Sequence, residues 1–399
     1  MRLIEVNDRQ LARDFLEVPR ILYRDDPYWV CIPDPEINAI FDAGTNPFFG
    51  HGEAVRWVLQ DDHGRLCGRV AAFVNRNKAF TFQQPTGGMG FFECIDNREA
   101  AFALFDACKE WLEQRKIEAM DGPVNFGEND NYWGLLVEGF MHPGIGMNYH
   151  FPYYKQLFEE YGFQPYYEQI TNHLDMTKPF PDRFWKIAEW VMRKPGLRFE
   201  HFRLKEADRY IRDLKTVYDQ AWVFHENFTP IEPEFLKQSL KKAKVFLEEK
   251  FIWFVYVNDE PAAFFIMLPD INQIFRKLHG RLDAWGKLKF FYYFKTRTIT
   301  RARITIMGVA PQFQRMGLES GIFWHLDKIM KQRPWYTELE LSWVGDFNLK
   351  MRSLHESVGG VFAKKHITYR KLFRQGDGSQ RSSFIPLDTK EKITGNRSE

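Results

Sequence analysis

The sequence predicts an α/β protein with mixed sheets, built from two consecutive copies of one structural plan. Its 399 residues exceed the size at which a single hydrophobic core stops growing, which favours two domains. Hydrophobic residues make up 44% of the chain and charged residues 27%, which excludes extensive disorder. The third observation is that one order of strand and helix patterns occurs twice along the chain.

The first copy opens with a strand pattern and a helix pattern in which Leu11, Phe15 and Val18 have helical spacing. Two β-rich runs then flank an Asp-Asp-His-Gly turn and predict a hairpin. Strands and helices alternate after the hairpin. The predicted elements lie at residues 3–6 (strand), 11–22 (helix), 56–60 and 69–75 (hairpin), 91–95 (strand), 98–115 (helix), 119–125 (strand) and 153–161 (helix).

The second copy repeats this order. Its predicted elements lie at residues 197–204 (strand), 207–222 (helix), 252–257 and 262–268 (hairpin), 301–309 (strand), 316–331 (helix), 337–343 (strand), 348–357 (helix) and 362–372 (strand). The repetition indicates an internal duplication with weak sequence identity. We therefore expect a first domain at residues 1–176, a linker helix at 177–195, a second domain at 196–373 and a disordered tail at 374–399.

Charge and cysteine usage exclude several classes of protein. The 55 basic and 53 acidic residues leave a net charge of +2, so no overall field attracts nucleic acid. The four cysteines have no Cys-x-x-Cys spacing and stand in apolar or strand-like surroundings, which predicts reduced thiols and no metal site. No apolar run approaches the roughly 18 residues of a membrane span, and the N-terminus lacks a signal-peptide pattern. These features predict a cytoplasmic protein.

A candidate anion site lies at residues 309–317, Val-Ala-Pro-Gln-Phe-Gln-Arg-Met-Gly, where a predicted buried strand ends and an amphipathic helix begins. Such a turn directs backbone N–H groups and the positive end of a helix at one point. Gly317 allows an anion to approach closely, and the side chains of Gln314 and Arg315 add hydrogen-bond donors. The alternative interpretation is an ordinary strand-to-helix loop.

This segment resembles the cofactor motif of the GNAT (Gcn5-related N-acetyltransferase) superfamily, Val-x-Pro-x-x-Gln-x-x-Gly-x-Gly/Ala. The resemblance implies two tandem GNAT folds that use acetyl-CoA or acyl-CoA and no metal, with the pantetheine arm lying where the strand splays. The residues implied in cofactor binding are Met307, Gly308, Val309, Gln314, Arg315, Met316, Gly317, Leu318, Ser320 and Asn348.

Glu319 departs from the motif because the family has Gly or Ala there, and a carboxylate repels a pyrophosphate. Three interpretations remain open. The Glu319 side chain points away from the site, or CoA is held more weakly, or the acyl donor is carried by a protein.

Asn348 and the segment 354–360, Leu-His-Glu-Ser-Val-Gly-Gly, are similar to the second GNAT motif. His355 stands where many members have the tyrosine that protonates the leaving thiolate, which implies an acid role for its imidazolium. On the acceptor side, His225 and Glu226 lie in an aromatic segment and are candidates for accepting a proton from the attacking ammonium through water. For both sites a purely structural role is the alternative.

The first copy carries a similar second motif at residues 154–163 but two carboxylates and no glycine at 96–99. We therefore expect the first domain to bind no cofactor and to form one wall of the acceptor pocket. The loop at 125–131 is a candidate lining of this pocket, with a plain connecting loop as the alternative.

An insertion at residues 274–297 combines seven basic residues and one acidic residue with interleaved aromatic residues. Basic charge beside exposed aromatic rings is typical of a segment that lies on an anionic bilayer surface. We expect peripheral contact with the inner membrane face. An RNA-binding stripe and a helical subdomain packed on the fold are the alternatives.

The resemblance extends over residues 2–373, and within the superfamily the chain is similar to bacterial ceramide-synthase-like N-acyltransferases. This implies a fatty acyl thioester as donor and a lipid amine, a long-chain amino alcohol, as acceptor. A non-catalytic acyl-CoA-binding module is one alternative, favoured by Glu319 and the missing tyrosine. A peptidoglycan-type aminoacyltransferase that uses charged tRNA is another, but it requires a coiled-coil arm that the sequence lacks.

Overall fold

The computed structural model describes residues 1–129, 131–223, 228, 230–374 and 381–382. These residues form two compact units. Unit 1 contains Met1–Ile170, Asn272–Thr296 and Lys364–Ser382, and unit 2 contains Thr171–Ile271 and Arg297–Ala363. The predicted disordered tail at 374–399 lies almost entirely outside the described residues.

Unit 1 is built on a mixed sheet that helices cover. Its elements are β1 (Arg2–Glu5), α1 (Arg9–Leu22), α2 (Asp34–Ile40), β2 (Gly52–Gln60), β3 (Leu66–Asn75), α3 (Arg76–Ala79), β4 (Thr86–Cys94), α4 (Arg98–Glu113), β5 (Ala119–Gly122), β6 (Leu135–Glu138), α5 (Tyr154–Tyr161) and the first part of β7 (Gln164–Asp175).

Unit 2 follows the same plan and contains the end of β7. Its further elements are α6 (Asp182–Met192), β8 (Leu197–His201), α7 (Ala207–Trp222), α8 (Pro233–Ala243), β9 (Ile252–Val257), β10 (Glu260–Pro269), β11 (Arg301–Val309), α11 (Leu318–Lys331), β12 (Glu338–Glu340), β13 (Val344–Gly345) and α12 (Leu349–Ser357). The insertion between β10 and β11 forms two helices that belong to unit 1, α9 (Asn272–Leu278) and α10 (Ala284–Lys295). The closing strand β14 (Val361–Leu372) belongs to unit 1 from Lys364 onwards.

The strand order is the same in both units. Unit 1 has the order β1-β2-β3-β4-β5-β14, and unit 2 has the order β8-β9-β10-β11-β12-β7. Neighbouring strands are antiparallel except for one parallel pair in each unit, β4 with β5 and β11 with β12. The sixth strand of each unit therefore comes from a distant part of the chain.

The insertion and the closing strand belong to unit 1, whereas the sequence placed both of them in the second domain. The side-chain amide of Asn272 donates to the carbonyl oxygens of Pro143 and Gly144, which lie in unit 1. On β14 the guanidinium of Arg370 makes a buried bidentate pair with Asp121 of β5. These long-range contacts place residues 272–296 and 364–382 with unit 1.

Each unit has its own apolar core. In unit 1, α4 and α5 pack on the sheet through residues that include Leu104, Phe105 and Phe158. In unit 2, Tyr210 and Leu214 of α7 belong to a cluster with Phe254 and Phe264 of the sheet, among others. The aromatic surplus of the composition is thus partly used in packing the two cores.

Candidate functional site

The central strands of unit 2 separate part-way along their length. β11 pairs with β12 only from Arg301 to Arg303, opposite Glu338 to Glu340. The chain after β12 turns to another partner, because the Leu341 N–H donates to the carbonyl oxygen of Asn172. On its other edge β11 stays paired with β10 as far as Val309. Residues 304–309 therefore present an edge of β11 that β12 does not cover, and an extended amide-containing ligand can pair with such an edge.

The open part of β11 leads directly to the start of α11. Between them lie a single 3₁₀ turn, Pro311–Phe313, and two residues in the left-handed region, Arg315 (φ 70°) and Gly317 (φ 75°). Gly317 is the N-cap of α11 and has no side chain with which to cap the helix. The N-terminal end of α11 therefore has the donor-rich, positively polarised character that binds phosphate.

Three cationic side chains lie around this N-terminus. Arg315 is exposed in the turn itself. The ammonium nitrogen of Lys194 lies 3.4 Å from the carbonyl oxygen of Met316, and that of Lys350 lies 3.3 Å from Oε1 of Gln314. The sequence motif indicated only Arg315, because Lys194 and Lys350 reach the turn from α6's C-terminal end and from α12. We call Arg315, Lys194 and Lys350 the cation ring.

Glu319 lies at the mouth of α11. Burial of its carboxyl group raises its pKa. The three interpretations of this departure from the motif stay predictions.

Helix α6 forms one side of the same turn. A Cβ atom at position 317 would lie 3.0 Å from Cγ2 of Val191 and 3.4 Å from Cγ2 of Ile187. Phe184 of α6 also packs edge-on against Phe323 of α11. The helix that joins the two copies in the sequence therefore borders the candidate phosphate site.

An aromatic wall lies against the open part of β11. A Cβ atom at Gly308 would lie 2.6 Å from Cζ3 of Trp222 and 2.8 Å from Cε1 of Phe264. The ring of Trp222 also stacks on Tyr218 at a centroid distance of 4.5 Å. Only glycine leaves room for these rings at position 308, which gives a reason for the residue beyond backbone freedom.

Two of the candidate catalytic residues cannot be placed. His225 and Glu226 follow the aromatic wall in the sequence, but both lie outside the described residues. Their role as a proton-accepting pair stays a prediction.

The structure gives other candidates local structural roles as well. Oδ1 of Asn348 accepts a hydrogen bond from the Met351 N–H at 3.2 Å, so this side chain caps α12. Leu318 and Ser320 are buried in the first turn of α11, while Met307 is half-buried. Their participation in cofactor binding stays a prediction.

His355 differs from the expectation of a protonated acid. Its side chain is buried on α12, and burial lowers its pKa to about 4. The imidazole is therefore neutral near pH 7, and the structure does not support an imidazolium that protonates a thiolate. The motif alone could not reveal this, because the burial results from tertiary packing.

The low pKa of His355 has a consequence for stability. Between its ordinary value of 6.5 and about 4, the unfolded chain binds a proton at this histidine and the folded chain does not. Stability is therefore lost as the pH falls through this window, by up to about 3 kcal/mol at 1.36 kcal/mol per pKa unit. We expect His355→Gln to flatten the difference in urea-unfolding free energy between pH 7 and pH 4.5. His63→Gln, at an exposed histidine, is the control. If the unfolding free energy of the His355 variant depended on pH as strongly as that of the wild type, the low pKa assigned to His355 would be contradicted.

The corresponding region of unit 1 is closed. The parallel pairing of β4 with β5 also covers three residues, Thr86–Gly88. Beyond them, however, the Tyr153 hydroxyl donates to the Cys94 carbonyl oxygen at 2.7 Å, and the Cys94 N–H donates to the Tyr154 hydroxyl at 2.9 Å. The start of α4 is capped, because Oδ1 of Asn97 accepts from the Ala100 N–H. Two tyrosines and a side-chain cap thus occupy the groups that unit 2 leaves open.

Two further features concern metals and membranes. Among the described residues, no group of three or more His, Cys, Asp or Glu side chains is arranged to hold a metal ion. In the same part of the chain no helix has both the length and the apolar character that crossing a bilayer requires.

Comparison with known proteins finds relatives that match at least nine-tenths of the chain. The chain is 28% identical over 383 residues to bacterial ceramide synthase of Caulobacter vibrioides (strain NA1000 / CB15N), covering 93% of this chain and 97% of that protein. It is 27% identical over 364 residues to Protein YghO of Escherichia coli (strain K12), covering 90% and 92%. No protein-family model matches the chain.

Among solved structures, a tandem GNAT protein from the clavulanic acid biosynthesis pathway superposes with a TM-score of 0.57 at 9% identity. The superposition covers 94% of this chain and 99% of that protein. The chain has a tandem GNAT fold. The predicted fold class, an α/β protein with two GNAT-like units, is confirmed, and the similarity to a ceramide synthase supports an acyltransferase.

Proposed function

We propose that this GNAT-type acyltransferase transfers an acyl group from acyl-CoA, bound in unit 2, to a primary amine. The observation that carries the proposal is the continuous path from the open edge of β11 to the start of α11 inside the cation ring. The pantetheine amides pair with residues 307–309, and the phosphates lie at Gly317 near Arg315, Lys194 and Lys350. A nucleotide diphosphate needs this combination of backbone donors and positive charge.

The chemistry follows from this placement. The neutral amine attacks the thioester carbonyl carbon, the oxyanion accepts a hydrogen bond from a β11 backbone N–H, and collapse breaks the C–S bond. The CoA thiolate leaves, and the ammonium proton passes to solvent or to a base in the segment at 224–227. The neutral His355 is not the acid in this scheme.

We further propose that the acyl group is long and that the acceptor is a long-chain amino alcohol. The ceramide synthase name of the Caulobacter relative supports this acceptor class. Trp222 supports it as well, because this half-buried ring lies beside Gly308 of the reacting strand. The alternative is a non-catalytic acyl-CoA-binding module, which the Glu319 carboxylate at the helix mouth favours.

Thiol release separates these possibilities. Purified full-length protein is incubated with acetyl-CoA or palmitoyl-CoA and with sphinganine, hexadecylamine or ethanolamine, and free CoA is measured with a thiol reagent. We expect release to require both palmitoyl-CoA and a long-chain amine, with a rise in melting temperature on palmitoyl-CoA alone. Stabilisation without release for any amine supports the binding module, and release with the short partners alone removes the lipid proposal.

We propose that α10 lies on an anionic membrane surface. Trp285, Leu288 and Tyr292 have helical spacing and are 71%, 59% and 62% exposed, opposite the buried Phe290. The helix also carries Lys287, Lys289 and Lys295, all of them exposed. An outward apolar face beside lysines is the arrangement that binds an anionic bilayer.

Vesicle sedimentation tests this surface. We expect binding to vesicles of phosphatidylglycerol and phosphatidylcholine, weakened by salt. The triple variant Trp285→Ser, Leu288→Ser, Tyr292→Ser is expected to bind at least about tenfold more weakly, since each buried apolar side chain contributes on the order of 1 kcal/mol or more. Val361→Ser with Phe362→Ser, also exposed, is the matched control. Equal sedimentation of the triple variant and the wild type would exclude α10 as the docking surface.

A further inference from the structure

Unit 1 contains a cavity that the acyl-transfer site in unit 2 does not use. Its volume is about 60 Å³, which accommodates about two water molecules, at roughly 30 Å³ each, or a small head group. The apolar part of the lining includes Leu16, Val30, Ile37 and Met147. Its polar part includes Arg69, Glu93 and His150, each at least nine-tenths buried. Strands β3 and β4 and the loop before α5 bring these three side chains to one place.

Arg69 and Glu93 form an ion pair at the cavity, and their opposite charges balance. Nη2 of Arg69 lies 3.6 Å from Oε1 of Glu93, and the Tyr23 and Tyr154 hydroxyls donate to Oε2 at 2.8 and 3.0 Å. The Nη1 group of Arg69 donates to the Phe15 carbonyl oxygen at 2.9 Å. Nε of Arg69 is buried and has no hydrogen-bond partner among the described residues. One strong donor of the pair is thus left unused.

His150 supplies a second unused donor. Its Nδ1 accepts a hydrogen bond from the Leu136 N–H at 3.1 Å, so the ring proton is on Nε2. Burial lowers the pKa of His150 to about 3, and the ring is neutral at physiological pH. No partner for its Nε2–H is found in the part of the chain that the structure describes. A donor that faces a cavity without a partner is destabilising, and a ligand or water that accepts the bond removes this cost.

Two ion pairs line the cavity, Arg69 with Glu93 and Arg20 with Asp34, so its positive and negative charges balance. An ammonium group placed beside Glu93 also lies beside the Arg69 guanidinium, and a carboxylate placed beside Arg69 also lies beside Glu93. A hydroxyl group avoids both repulsions, because it accepts from His150 Nε2–H and donates to Oε1 of Glu93. The apolar lining then suits a short alkyl segment attached to the hydroxyl-bearing carbon.

We propose that this cavity binds the hydroxyl head group of a small uncharged amphiphile, such as a 1,2-diol with an alkyl chain. The proposal does not depend on acyl transfer, because none of its residues belongs to the unit 2 site. It assigns the first copy a binding role of its own, in place of a purely structural one.

The test uses full-length protein and three six-carbon probes, 1,2-hexanediol, hexylamine and hexanoate, titrated by saturation-transfer difference NMR. The expected result is saturable binding of the diol and at least tenfold weaker binding of the amine and the carboxylate. Binding of hexylamine or hexanoate as tight as that of the diol overturns the proposal. Absence of saturable binding for all three overturns it too, and leaves a cavity for water alone.

Matched variants locate the binding. His150→Asn keeps an acceptor at the Nδ1 position for the Leu136 N–H but removes the Nε2 donor, whereas His150→Gln keeps a donor near the Nε2 position. We expect about tenfold weaker diol binding for the Asn variant than for the Gln variant, and loss of binding for Val30→Phe, which fills the cavity. Equal diol binding by all three folded variants would place the site elsewhere. Thermal stabilisation by palmitoyl-CoA should stay unchanged in each, which separates this proposal from that for unit 2.

Discussion

Replacement of Arg315, Lys194 and Lys350 together by glutamine is expected to weaken acyl-CoA binding about 100-fold and to leave binding of the matching acyl-pantetheine almost unchanged. The three cations surround the start of α11, where the phosphates of CoA are proposed to lie. An exposed or half-exposed charge pair contributes up to about 1 kcal/mol after solvent screening, so three of them amount to about 3 kcal/mol. Acyl-pantetheine lacks the nucleotide and should contact only β11. Isothermal titration with both thioesters measures the difference.

The control removes the same number of positive charges elsewhere in unit 2. Lys241, Lys242 and Lys244 are exposed on or next to α8, and their replacement by glutamine should leave acyl-CoA affinity within about twofold. Glu319→Ala gives a test of opposite sign, with affinity expected to rise about 2- to 30-fold because a negative charge leaves the helix N-terminus. Equal losses for acyl-CoA and acyl-pantetheine, or no gain for Glu319→Ala, would place the phosphates outside the cation ring.

Replacement of Arg301 by methionine is expected to lower the free energy of unfolding of unit 2 by about 3–5 kcal/mol. Nε and Nη2 of Arg301 each lie 2.6 Å from Oδ2 of Asp270, and both side chains are buried. Burial opposes the charge of Arg301, but the carboxylates of Asp270, Glu340 and Glu338 outweigh it and raise the pKa of the guanidinium. The variant leaves Asp270 charged and buried without this partner.

Urea unfolding followed by circular dichroism measures the loss, with a separate midpoint for each unit if the two do not unfold together. The double variant Arg301→Met, Asp270→Leu should recover part of the stability, since it removes the stranded carboxylate. Lys237→Met is the matched surface control, because Lys237 and Glu234 form an exposed pair at 3.9 Å, and we expect a change below about 1 kcal/mol. A loss for Arg301→Met no larger than that of the control would mean that the buried pair does not stabilise unit 2.

The turn at 309–317 shows how far local sequence patterns reach. The sequence pattern predicted a strand, a turn and an amphipathic helix here, and the structure contains β11, the turn and α11. The same motif identified Glu319 as an obstacle to phosphate binding. The packing of Val191 beside Gly317 could not be predicted from the motif, because Val191 is distant in the sequence.

The second motif illustrates the opposite case. Its spacing correctly predicted a helix, α12, with Asn348 at its start, but the charge state of His355 depends on how deeply α12 is buried. Desolvation acts through all surrounding atoms, so residue type and spacing cannot predict it. For the same reason the sequence could not predict that Arg69 and His150 each have a hydrogen-bond donor without a partner. This is seen only once the side chains of unit 1 are packed.

By itself the sequence determined the duplicated order of strands and helices and, through its resemblance to the GNAT superfamily, the tandem fold and the position of the turn that we propose binds phosphate. The order of strands and helices depends on periodicity within about 20 residues. Only the tertiary structure decided that β14 completes unit 1, that the end of β7 completes unit 2, and that Lys194 and Lys350 join Arg315. These strand pairs and this cluster of cations depend on the shape and charge of segments that are far apart in the chain. The spacing of residues in the sequence therefore cannot predict them.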